Sequence, residues 1–143
     1  MNRMQKIAWL LVITISIAVV LSGISMGILY VKYGFPKASA GLAFLGIAGF
    51  GGLGPLIFKK DQGSTTCDER DKLINRRAAL AGFATSYLLM GLACMLPFTI
   101  LGPQKFISVS WLPNIFALGG LSFFFVHSVA ILIQYGWRDK DGQ

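Results

Sequence analysis

Four apolar runs, 7–30, 39–58, 78–101 and 115–136, contain no Asp, Glu, Lys or Arg. An α-helix rises about 1.5 Å per residue, so about 20 residues cross roughly 30 Å of hydrocarbon, and each run reaches that length. Within lipid the backbone must satisfy its own hydrogen bonds, which leaves helices as the way for such runs to cross. The expected fold is therefore all-α: a polytopic membrane protein with four transmembrane helices in one small bundle. Charged residues make up only 13% of the 143-residue chain, and they cluster between the runs rather than within them. The connections are too short for a soluble domain, so residues 1–143 are expected to form a single four-helix transmembrane domain with a charged loop at 59–77.

Arg3 and Lys6 precede the first run, as in a secretory leader. A leader's apolar segment runs about 7–15 residues before a small-residue cleavage site, whereas this run continues to Tyr30 without an Ala-x-Ala. It reads as a retained anchor. Ten of the 13 Lys and Arg residues fall before the first run, between the second and third, or after the fourth. The positive-inside rule then puts both termini and the 59–77 loop in the cytoplasm. Trp9, Phe58, Tyr135 and Trp137 are expected at the inner interface, and Tyr30, Tyr33, Phe35 and Trp111 at the outer one. The net charge of +7 is accounted for by this asymmetry and does not call for nucleic acid as a partner.

Helices in lipid associate where small residues let backbones approach. On that ground Gly23 and Gly27 of the first helix, Ala48 and Gly52 of the second, and Gly82 and Ser86 of the third are the expected packing positions, the second helix lying centrally. Pro55 and Pro97 are expected to kink their helices. Two motif-like strings belong to this packing chemistry instead of catalysis. Gly49, Gly51 and Gly54 spell G-x-G-x-x-G without a preceding strand, and Gly23, Ser25 and Gly27 spell G-x-S-x-G without an acid at membrane depth. Cys67 and Cys94, 27 residues apart along one helix, stand roughly 40 Å from each other and can share neither a disulfide nor a metal. No cofactor, metal or enzymatic activity is expected.

His127 is the one side chain within a run whose ordinary titration falls near neutral pH. It is expected to be neutral and hydrogen-bonded across helices, near the depth of Ser16, Ser86 and Tyr87. The 59–77 loop carries the densest charge. Thr66 and Glu69 have capping-box spacing, so a helix should start there, with Asp68, Glu69 and Asp71 in its first turns and Lys72, Arg76 and Arg77 after them. No helix breaker separates Arg77 from the third run, which predicts a third helix extended into the cytoplasm. Asp68, Glu69, Arg70, Lys72, Arg76 and Arg77 are the candidate interaction or lipid-headgroup residues, and Arg70 has no acid at i+4 or i−3 to hold it.

The string from Asp68 to Ala78 resembles the D-E-R-x-x-x-I-x-x-K-A signature of a family of small bacterial and archaeal membrane proteins of unknown function, typified by the DUF2178 group. Arg77 stands where that signature has Lys, which keeps the charge. The resemblance implies a prokaryotic cell (inner) membrane, four helices, and the signature just before the third; it implies nothing about activity. The expected function is an accessory or interaction subunit, working through its transmembrane helices and charged loop on another membrane protein or a second copy of itself. A small oligomeric transporter or channel lined by the Gly-rich helix and His127 is the alternative.

Overall fold

The structure, a computed structural model, describes residues 3–58, 69–102, 104 and 111–136. Among these residues there are four helical segments long and apolar enough to cross a membrane. The first is α1 (Arg3–Tyr33); after a short helix α2 (Phe35–Ala38), the second joins a 3-10 helix (Ser39–Leu53) and a terminal turn α3 (Gly54–Ile57). The third is α4 (Glu69–Leu101) and the fourth α5 (Trp111–Gly136). The chain divides into two compact units, one built on the first two spans and the other on the last two.

In the first unit α1 and the second span form an antiparallel pair. Gly34 makes the reversal possible: φ 78° and ψ 179° is a conformation open in practice only to glycine, and its N–H closes α1 by donating to the Tyr30 carbonyl at 3.0 Å. From there the pair closes up along its length. A Cβ on Gly41 would stand 2.7 Å from the Met26 nitrogen, one on Gly51 2.6 Å from Thr14 Oγ1, and one on Gly54 3.1 Å from Ile7 Cγ2. The matching face of α1 is Ala8, Ile15, Ala18 and Ser22, all buried and spaced by seven, three and four residues. At the far end Arg3 donates from Nε to the Phe58 carbonyl at 2.6 Å and from Nη2 to the Pro55 carbonyl at 3.1 Å. A guanidinium there satisfies carbonyls left open at a helix end and meets the negative pole of the dipole.

The composition tolerates the 3-10 winding. At three residues per turn, side chains at i and i+3 eclipse, which penalises bulk in every row. Here only one row, Phe44, Ile47, Phe50 and Leu53, is bulky throughout; Ala43, Gly46, Gly49 and Gly52 form a second, and Leu42, Leu45, Ala48 and Gly51 a third that tapers toward α1. The winding also lengthens a short span. Fifteen residues at about 2.0 Å plus four at about 1.5 Å reach roughly 36 Å, against about 28 Å for an α-helix of 19 residues.

The packing positions differ in their surroundings within the chain: Ala48 is buried, whereas Gly23, Gly27 and Gly52 have nothing within 4 Å of an added Cβ. Ala48, Gly51 and Gly54 stand three apart on one row, which the four-residue step from Ala48 to Gly52 leaves in a helix of three residues per turn, and Gly41 makes a further close approach off that row. Pro55 likewise does not kink a continuing helix; it sits in the first turn of α3, where its missing N–H costs little.

In the second unit α4 runs 33 residues, through Pro97, and ends on Gly102, whose φ of 80° and N–H bond to the Phe98 carbonyl close the helix. It starts at Glu69, well before the apolar run beginning at 78, so the extension predicted from the charge order is present. Thr66, Cys67 and Asp68, and with them the capping box, lie outside the described residues. Ile74, Ala78 and Gly82, each four residues apart, are the buried positions of α4. At Gly82 α4 comes close to the α5 backbone, a Cβ there standing 2.9 Å from the Phe123 carbonyl oxygen, and a Cβ on Gly119 of α5 would stand 2.7 Å from Met90 Sδ of α4.

Candidate functional site

Asn75 and His127 form a polar side-chain link between α4 and α5, with His127 Nε2 and Asn75 Oδ1 2.9 Å apart. With the amide oxygen as acceptor, Nε2 carries the proton and donates. One turn earlier on α5, Phe123 stacks on the imidazole, with ring centroids 5.9 Å apart and planes 13° off parallel. Phe123 in turn meets Phe83 of α4 at 4.8 Å and Phe124 at 5.1 Å. The pair is therefore set at the head of an aromatic ladder.

This partner is not the one depth alone suggests. Ser86 donates to the Phe83 carbonyl of its own helix at 3.0 Å, Tyr87 is 81% exposed, and Ser16 is exposed on α1. The reason is register. Asn75 lies beside His127, Gly82 beside Phe123, and Met90 beside Gly119, so the two helices are displaced by about ten residues, nearly three turns, from an arrangement with their apolar runs flush. The displacement brings the charged start of α4 alongside the middle of α5, and His127 finds an amide instead of a hydroxyl.

The charged candidates fall on different flanks of α4. Glu69 is the exposed first residue of the helix; Arg70 is half-buried; Lys72, Arg76 and Arg77 are exposed. Arg70 and Arg77 are seven apart and share one flank, whereas Lys72 and Arg76 are four apart and share the flank that continues through Asn75. Of the residues in the family-like signature, Ile74 and Ala78 are the two buried ones, 6% and 0% exposed, so part of that string seats α4 on α5. Asp68 lies outside the described residues.

Two contributors escaped the sequence reading. Asn75 looked like one polar residue among several in a charged stretch; its signal is that it lies seven residues before Gly82, on the same side of the helix as the close approach. Arg3 looked like an orienting charge, and nothing local marks it as the cap of a segment 52 to 55 residues away. Ser86 and Gly82, proposed together as packing positions, separate: Gly82 is buried against Phe123, while Ser86 is half-buried with its hydroxyl turned to its own backbone. Compared with known proteins, the chain matches no family model, no curated protein and no solved structure.

Proposed function

We propose that this chain is a small integral membrane protein that works by lateral association, as an accessory subunit of another membrane protein or as a homo-oligomer. Its orientation in this reading has both termini and the 59–77 loop in the cytoplasm of a prokaryotic cell, as the distribution of Lys and Arg favours. Lipid as the surroundings is supported by the size of the side chains left uncovered: Val31, Tyr87, Ile100 and Phe116 are each more than three-quarters exposed. Water would not tolerate such a surface on a monomer.

The observation that carries the association is the open glycine row. Gly46, Gly49 and Gly52 follow at every third residue of the 3-10 helix, with nothing within 4 Å of any of them. A second pair, Gly23 and Gly27, is equally open on α1. Rows without side chains are where helices in lipid come close enough to gain dispersion contacts, and lipid tails fill them poorly. The charged start of α4 supplies a polar contact surface to the same association. The test is purification in mild detergent, with the mass of the particle and anything retained at stoichiometric amounts as readouts. Gly49→Leu should reduce the particle to the single chain while its helix content stays as in wild type; an unchanged particle would remove this row from the contact.

A further inference from the structure

The α4 flank that carries Asn75 has a chemistry that neither packing nor topology uses up. Lys72 and Arg76 are both exposed, and neither makes an ion pair or hydrogen bond among the described residues. They stand at i and i+4, which brings their side chains to within about 6 Å of each other at the helix surface. On the wheel Lys72 lies between Arg76 and Asn75, whose Oδ1 is already taken by His127 and whose two amide N–H donors are left over. Farther along the same flank come Ala79 and then Phe83, whose ring lies 4.8 Å from that of Phe123. The order along this side of α4 is thus two cations, a neutral polar pair with spare donors, and an apolar aromatic stretch.

We infer that this flank of α4 binds an anionic phospholipid, its phosphodiester held by Lys72, Arg76 and the Asn75 amide and one acyl chain laid along Ala79, Phe83 and Phe123. Two adjacent cations suit one phosphate, and each contributes attraction that a neutral or zwitterionic headgroup does not repay. The displaced register of α4 and α5 is what joins the two halves, because it sets the basic turns beside Phe123 and His127 instead of beyond the end of α5. An acidic peptide suits the cations but not the rest: beyond the Asn75–His127 pair, Ala79, Phe83 and Phe123 offer no side-chain hydrogen-bonding group to a peptide backbone.

The inference rests on the chain being membrane-inserted, and the two are separable by experiment. Carbonate washing of membranes tests insertion: release of the protein would sink the membrane reading itself. For the lipid site, detergent-purified protein is incubated with phosphatidylglycerol or phosphatidylcholine, and the lipid retained per chain is measured by mass spectrometry. Wild type should retain phosphatidylglycerol in preference by roughly tenfold, the scale of one to two favourable surface charges. The Lys72→Gln, Arg76→Gln double variant should lose that preference, while Lys72→Arg with Arg76→Lys, Lys32→Gln and Arg77→Gln keep it. Should the double variant fail to fold, Arg76→Gln alone is expected to lower the preference severalfold. Equal retention of the two lipids by wild type overturns the inference, as does an equal loss in Arg77→Gln, which would mean diffuse attraction to charge. Displacement of phosphatidylglycerol by inorganic phosphate, or an acidic protein that co-purifies in place of lipid and is lost from the double variant, would overturn it too.

Discussion

His127 shows how a single polar side chain is accommodated among apolar ones. Its Nε2 meets Asn75 Oδ1 at 2.9 Å, and its ring is covered on one side by Phe123. Interhelical hydrogen bonds of this kind couple by about 0.6 kcal/mol on average and at most about 1.7 kcal/mol, because the separated helices find other partners. Asn75→Leu and His127→Leu should therefore each destabilise modestly, and the double variant should cost less than the sum of the two by that coupling. Unfolding in mixed detergent, run as a double-mutant cycle, measures it; additive effects would mean that the pair carries no energy. The need for a partner was legible from the sequence, since a lone imidazole in a run of 22 apolar and small residues is costly unbonded. Which partner was not legible, because that depends on the displacement of α4 against α5, and hydropathy reports only where each run begins and ends.

At the scale of the element, the second span is the part whose local winding changes the outcome. The glycine content marked it as a packing helix, yet Ala48, Gly51 and Gly54 follow a three-residue row and not the four-residue spacing of an α-helix, while Gly41 meets α1 from a different row. Gly41 is the most constrained, since an added methyl would meet the Met26 nitrogen at 2.7 Å and its Cα at 2.9 Å, both backbone atoms that cannot rotate away. Gly41→Ala should cost about 1–3 kcal/mol, the usual range for overpacking. Gly52→Ala, on the row left open within the chain, should leave the stability of the dissociated single chain unchanged or raise it by up to about 1 kcal/mol through the reduced freedom of the unfolded chain. Thermal unfolding of the two variants in the same detergent separates them, and equal losses would indicate that the span is wound as an ordinary α-helix with both faces in contact. The sequence could not announce the winding: a Gly-rich apolar run supports either helix, and the choice lies in how closely α1 is approached.

For the whole molecule, the orientation across the membrane is the property with the most consequences, because it decides whether the basic turns of α4 meet the cytoplasm and its anionic lipids. In a Cys67→Ser, Cys94→Ser background, a cysteine at Gln62 should be protected from an impermeant thiol reagent in intact cells, and one at Gln104 should react. Reversed labelling would place the charged loop outside and leave the proposed headgroup site facing the wrong leaflet. The number of helices, their approximate ends and the continuation of α4 back to Glu69 were determined by the sequence alone, because apolar run length, charge clusters and the order of acids before bases are local properties. Tertiary structure decided the rest. It put Gly51 and not Gly52 against α1, sent the Arg3 guanidinium to the carbonyls of Pro55 and Phe58, and gave His127 to Asn75. Each of these depends on the winding of one helix or its axial position against another, and both are set by the fit of two surfaces, which no single run of residues contains.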